Sequence, residues 1–246
     1  MQSAVDLFDG NSHKPQTIHR CRVALKRARA LAFVGSVSAP GLAEIFDDSA
    51  RALMRTLGAA RDNWVIERTA RALASRVGRK SRRELEALAD RIEVFRRTTP
   101  SFNEDSVRAG FADLLAIAQV WPEASPRQVE RGVRRVAKQA QRAWRHARKA
   151  EQPDRHAWRK REKARLYAAS LLPAAWPNGR PRRRKRNAKL AQILGDERDL
   201  VLLMQRLEAD HPADGAPRAL PALSKAKKRI VKRADRLGKR LHSRRG

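Results

Sequence analysis

His19, Arg22, Lys26 and Arg29 follow one another at steps of three, four and three residues. On an α-helix that spacing puts all four side chains on one face, roughly one cation per turn. The chemistry open to such a row is anion binding through charge-assisted hydrogen bonds, bidentate where arginine is used. Beside the row runs a second stripe, Cys21, Leu25, Ala28 and Ala32, small and apolar, so the helix can pack on one side and present charge on the next. The pattern recurs far along the chain: His156, Arg159 and Lys163 repeat the spacing, and Lys160 widens the band. A solvated helix face normally mixes signs, because like charges one turn apart repel. Rows with so few acids fit a bound anion better than solvent.

Other basic rows share the pattern. Arg131, Arg134, Lys138, Arg142, Arg145 and Lys149 line one face of 127–150, a stretch with Glu130 as its single acid. Lys185 and Lys189 share a helical face in the basic run that begins at residue 180, and Arg51 and Arg55 precede the motif Leu57-Gly58-x-x-Arg61-Asp62. The whole chain holds 56 Lys and Arg against 26 Asp and Glu, a net charge of +30 over 246 residues. Such an excess calls for a polyanionic partner. It is also lopsided: about +6 falls on residues 1–120 and +24 on residues 121–246, which points to a binding surface.

Several classes of chemistry lack their residues. Cys21 is the sole cysteine, so neither an intrachain disulfide nor a cysteine-based metal site is expected. His19 and His156 lack the i+4 histidine and adjacent glutamate of a zinc helix, and Gly58 and Gly195 stand alone rather than in a phosphate loop. No enzyme activity, metal or cofactor is therefore expected. The longest apolar runs are far shorter than the roughly 20 residues that span a bilayer, and the first residues carry acids instead of a signal-peptide pattern. The expected setting is the cytosol, without a membrane partner.

The elements that must hold these rows are helices throughout. Segments between Pro and Gly breaks have a 3.6-residue apolar period, and none alternates as a strand would. The periodicity predicts helices over 15–35, 41–57, 61–77, 80–97, 103–120, 127–150, 155–172, 182–194, 197–209 and 219–243. Asp62 and Asp199 read as caps or first-turn acids of the helices that follow them. A repeat organises the series. Adding 137 to His19, Arg22, Lys26, Pro40, Leu53, Leu57, Gly58, Arg61 and Asp62 gives His156, Arg159, Lys163, Pro177, Leu190, Leu194, Gly195, Arg198 and Asp199 without a gap. A His, a Pro and a Gly matching at one offset indicate duplication, hence two similar helical bundles about an approximate two-fold axis. The equivalent basic rows then either face a shared region or lie on opposite outer surfaces. The repeated "LG..RD" reads as structural, a turn glycine followed by an Arg and an Asp that tie a helix junction.

Four stretches, "IHRCRVALKRARALAF", "LMRTLGAARDNWVI", "HAWRKREKARLYAASLL" and "KLAQILGDERDLVLL", resemble in order the motifs of the conserved histidine α-helical domain family, CHAD. The resemblance implies an all-α fold of two pseudo-two-fold-related bundles of about four helices each, 14–122 and 126–245, around a central basic channel. It further implies non-catalytic binding of inorganic polyphosphate, with association to polyphosphate granules. His19, Arg22, Lys26, Arg27 and Arg29 match its first motif, His156, Arg159, Lys160, Lys163 and Tyr167 its second, and Lys189 the basic position before "LG". Two departures stand out. Where the family pattern has a basic residue ten after the second His this chain has Leu166, and Arg165, one place early, rotates toward Trp158, where Glu162 can pair with it. Relatives also carry a helix ahead of the first motif, and only eighteen residues precede His19. The competing reading from charge alone is sequence-nonspecific nucleic-acid binding, though aromatic residues for base stacking are sparse; weak electrostatic affinity for DNA at low salt is expected in either case.

Overall fold

The computed structural model describes residues 15–98, 102–148, 152–176, 181–210 and 217–242, and every regular element among them is an α-helix. In chain order these are α1 (Pro15–Gly35), α2 (Pro40–Thr56), α3 (Gly58–Ala74), α4 (Arg79–Thr98), α5 (Glu104–Gln119), α6 (Pro126–Ala147), α7 (Gln152–Leu171), α8 (Pro181–Asp210) and α9 (Leu220–His242). The all-α expectation holds. Residue 14, Pro177, the last residues of the expected helix 127–150 and residues 243–245 lie outside the described residues, as does the region where a preceding helix would fall.

Local chemistry sets the helix starts. Proline opens α2 and α6, where its missing N–H removes a donor that would have no intrahelical partner. The Asn103 side chain accepts from the Ser106 N–H at 3.0 Å to begin α5. Ser125 and Gln128 form a reciprocal capping box that begins α6, and with it the second half of the chain.

One expected boundary is absent. The segments 182–194 and 197–209 form the single 30-residue helix α8, which runs through Gly195 and Asp196. In the first copy the break is real: Leu57 adopts φ −79°, ψ 5° and separates α2 from α3. The two segments then part, α2 packing on α5 and α3 on α4, whereas α8 runs unbroken against α9. A lone glycine weakens a helix by about 1 kcal/mol but does not end it. Nor is Gly58 needed at its turn for steric reasons, since an added Cβ would meet nothing within 4 Å.

Four apolar clusters hold the helices together. Cys21 and Leu25 of α1 meet Phe46 and Leu53 of α2 and Phe111 and Leu114 of α5. Ile66 and Ala70 of α3, Leu88 and Ile92 of α4, Leu203 and Leu207 of α8 and Leu223 of α9 form a second cluster. It joins elements from both halves of the chain. Trp144, Trp158, Leu190, Leu194 and Leu241 make a third. The fourth lies at the centre, where Ala30 and Val34 of α1 meet Val133 and Val136 of α6 and Ala164 and Ala168 of α7. Small residues there bring backbones close: a Cβ on Gly132 would lie 2.2 Å from the Val34 carbonyl oxygen. The result is that α1 and α7, the two helices with histidine-led basic rows, pack directly against each other. Each fully buried Leu or Val contributes about 1.5–3 kcal/mol to holding that arrangement.

Candidate anion-binding cleft

The apolar stripes of α1 and α7 face inward, so their basic rows turn toward a common space. A cleft of about 670 Å³ opens there, lined from α1 by Arg22, Lys26 and Arg29, from α2 by Arg51 and Arg55, and from α7 by His156, Arg159, Lys160 and Lys163. Of the two arrangements open to the repeat, the rows meet in the shared one. Arg61, Arg161 and Arg198 bring the lining to eleven Lys and Arg, against Asp62 as its one carboxylate, with Phe33, Met54 and Tyr167 supplying apolar wall.

The cations fall into two groups. Some are braced. Arg22 donates to the Met54 carbonyl, and Arg29 reaches Asp47 at 2.6 Å, which also holds Arg51 at 2.5 Å. Arg61 bridges Asp62 at 2.8 Å and Asp199 at 3.0 Å. Asp62 and Asp199 are thus not helix caps; they lie within α3 and α8 and tie the two halves through one guanidinium. Arg161 donates to Gln139 at 3.0 Å. The others, Lys26, Arg55, Arg159, Lys160, Lys163 and Arg198, have neither an ion pair nor a side-chain hydrogen bond among the described residues. In addition Arg22 Nε, Arg159 Nε and His156 Nδ1 are buried without a hydrogen-bond partner there.

The remaining expected residues lie elsewhere. His19 is exposed one turn outside the cleft, its ring centroid 6.1 Å from that of Trp64. Arg27 is exposed on α1, and Arg131 and Lys138 point outward from α6. Lys189 is exposed with its ammonium 3.3 Å from Gln192, and Lys185 lines a different hollow. Among the residues that sequence reasoning left out of the site, Arg61 and Arg198 were visible as an equivalent pair in the repeat. Arg161 had no such signal, because its counterpart at the 137-residue offset is Ala24.

Comparison with known proteins bears on the same elements. The family model described as the CHAD domain matches residues 5–208. The chain belongs to the CHAD family. Among solved structures it is similar to the crystal structure of the CHAD domain from the plant Ricinus communis, with a TM-score of 0.64 at 21% identity, covering 98% of this chain and 88% of that one. That likeness speaks to the fold. No curated protein matches the chain.

The CHAD cleft is under electrostatic stress. Burial, then Arg159, Arg22, Arg61 and Lys163, push the Lys26 ammonium down to about 7. Burial, then Lys160, Arg159 and Arg198, push His156 down to about 4, so its imidazole is neutral at pH 7 in the free protein. Burial and neighbouring cations lower Lys163 and Lys160 in the same direction, and Arg22 falls to about 10. Arg61 is the exception: burial works against its charge, but Asp199 and Asp62 outweigh it. A polyanion in the cleft would reverse each depression by stabilising the charged form. Arg165 is buried with its Nη1 3.6 Å from Glu162, away from the cleft, as its rotation on the helix predicts.

Proposed function

We propose that this cleft binds inorganic polyphosphate and does not turn it over. The observation that carries the reading is the meeting of two basic helix rows in one recess, with six cations that have neither an ion pair nor a side-chain hydrogen bond among the described residues. A chain of phosphates presents about one charge per residue along its length, so successive cations, one per helical turn, can each meet a phosphate. Burial and then like-charge repulsion depress Lys26 and Lys163, and the bound chain relieves the second of these. It therefore raises the melting temperature, because it binds the folded form.

The lining supports binding without turnover. Its one carboxylate, Asp62, is engaged by Arg61, and no group of three or more His, Cys, Asp or Glu able to hold a metal occurs among the described residues. No helix there is long and apolar enough to cross a membrane, and a cytosolic setting, at polyphosphate granules, belongs to the same proposal. Nucleic acid is the competing ligand. Nonspecific binding needs cations presented to the duplex backbone, whereas Lys26, Arg159, Lys163 and Arg198 are only partly exposed, and besides His156 the lining has only Phe33 and Tyr167 as rings for stacking.

The test is competition. Labelled long-chain polyphosphate is bound to the protein at near-physiological ionic strength and challenged with unlabelled polyphosphate or with duplex DNA at equal phosphate concentration. The expected result is displacement by polyphosphate and little by DNA, with affinity falling as salt rises. Equal displacement by DNA would overturn the reading.

A further inference from the structure

A second hollow of about 290 Å³ lies between α7 and the N-terminal end of α8. Its walls include Arg165, Leu166 and Ala169 of α7, Arg184, Lys185 and Asn187 of α8, and Trp176 from the connection between them. The internal repeat shows what is unusual about it. At the 137-residue offset, Ala28, Phe46 and Ala50, which belong to or pack on the first apolar cluster, correspond to Arg165, Arg183 and Asn187. In the first half Phe111 and Leu114 of α5 cover that region. No counterpart of α5 is present among the described residues of the second half, and polar side chains stand where the first copy has core.

Two of those side chains are buried and incompletely satisfied. Asn187, 4% exposed, donates to Glu162 at 2.9 Å, which fixes its amide orientation and leaves its Oδ1 without a donor. Arg165, 9% exposed, meets Glu162 at 3.6 Å only, and neither its Nε nor its Nη1 has a hydrogen-bond acceptor among the described residues. Glu162 is shared, since Trp158, Asn187 and His242 also donate to its oxygens. Buried polar groups left this way are costly unless a ligand or water completes them. The hollow therefore offers donors for an oxyanion, one acceptor for a hydroxyl, a cationic mouth at Arg184 and Lys185, and apolar wall from Leu166, Ala169, Ala188 and Trp176. The start of a long helix adds a favourable field for an anion.

We propose that this hollow is a second ligand site, separate from the cleft, for a small phosphate monoester that carries a hydroxyl and a flat apolar group, the chemistry of a nucleoside monophosphate. Arg165 takes the phosphate oxygens, Asn187 Oδ1 accepts from the hydroxyl, and the flat group lies against Trp176 and the alanines. A volume of about 290 Å³ is of the size of one such molecule.

The experiment is calorimetric titration of adenosine monophosphate into the full chain, with long polyphosphate first added to saturation. Adenosine and inorganic phosphate serve as the separated halves of the ligand. The expected result is saturable binding that persists beside polyphosphate, is at least about tenfold weaker for either half alone, and is weakened about tenfold by the exposed double variant Arg184→Glu/Lys185→Glu. Lys163→Glu, in the cleft, leaves it unchanged. No binding of adenosine monophosphate, its displacement by polyphosphate together with sensitivity to Lys163→Glu, or equal affinity for inorganic phosphate would each overturn the assignment. Loss of adenosine monophosphate binding in Arg184→Glu/Lys185→Glu but not in Lys163→Glu is read without polyphosphate and does not depend on what the cleft binds.

Discussion

The two copies of the basic row do different jobs. On α1, Arg22 is held by the Met54 carbonyl and Arg29 by Asp47, and near the start of α3 Arg61 is fixed by Asp62 and Asp199. On α7 and α8 Arg159 and Arg198, the equivalents of Arg22 and Arg61, have no ion pair among the described residues, and Lys163 is as unpaired there as its counterpart Lys26. The fourth position shows the divergence most clearly: the counterpart of Arg29 is Leu166, while the extra cations Lys160 and Arg161 appear where the first copy has Val23 and Ala24. Duplication has therefore not produced two equal half-sites. The first copy is braced at Arg22, Arg29 and Arg61, with Lys26 and Arg55 left open, whereas the second leaves Arg159, Lys160, Lys163 and Arg198 to a ligand and, among the described residues, braces only Arg161, on Gln139.

The largest effect that would sharpen or break this comparison is on binding. Reversing Arg159→Glu and Lys163→Glu together removes two charge-assisted contacts. It is expected to weaken polyphosphate binding about 100-fold or more while leaving the melting temperature unchanged or raised. Arg29→Glu, by contrast, is expected to lower the melting temperature, because it sets a carboxylate against the buried Asp47. Titration and thermal denaturation of both variants decide it; equal profiles would show that the copies are equivalent after all.

Next in size is the pair Arg61 and Arg198. Arg61→Ala leaves Asp62 and Asp199 without their shared partner and is expected to cost about 2 kcal/mol in urea unfolding. Arg198→Ala, whose guanidinium has no ion pair among the described residues, is expected to be near neutral for stability and to weaken binding.

A smaller, pH-dependent effect follows from Lys26. Its folded value of about 7 lies below the ordinary 10.5, so between those limits the unfolded chain holds the proton that the folded chain has released. Stability of the free protein therefore rises with pH across that window. Lys26→Met is expected to flatten the rise, measured as the difference between the two stability profiles. Polyphosphate affinity runs the opposite way, falling as pH climbs above 7. The smallest effect is expected at the outer face: Arg131→Glu and Lys138→Glu change affinity by less than about twofold at physiological salt, where exposed charges are screened.

Much of this was legible in the chain. Helical periodicity located the elements, and the 137-residue offset located the two rows that meet. The misses have physical causes. Arg131 and Lys138 form as regular a line as Lys26 and its neighbours, but periodicity assigns residues to a face without saying which way that face turns. Only packing does, and α6 turns its apolar side, with Val133 and Val136, to α1 and α7. Gly195 and Asp196 read as a junction because Gly58 stands at one, yet only in the first copy do the two segments part to pack on different helices. Asp199 read as a cap because pairing between residues 61 and 199 is invisible until the halves are brought together. Arg165 was readable, since one residue of rotation sufficed to turn it from the cleft toward Glu162.

The most direct test of the central claim is a crystal structure of the chain with long-chain polyphosphate bound. The account predicts phosphates lying between α1 and α7, within hydrogen-bonding distance of Lys26, Arg159 and Lys163. Phosphates ordered along the exposed arginines of α6 and the lysines of α9, with none in the cleft, would contradict it.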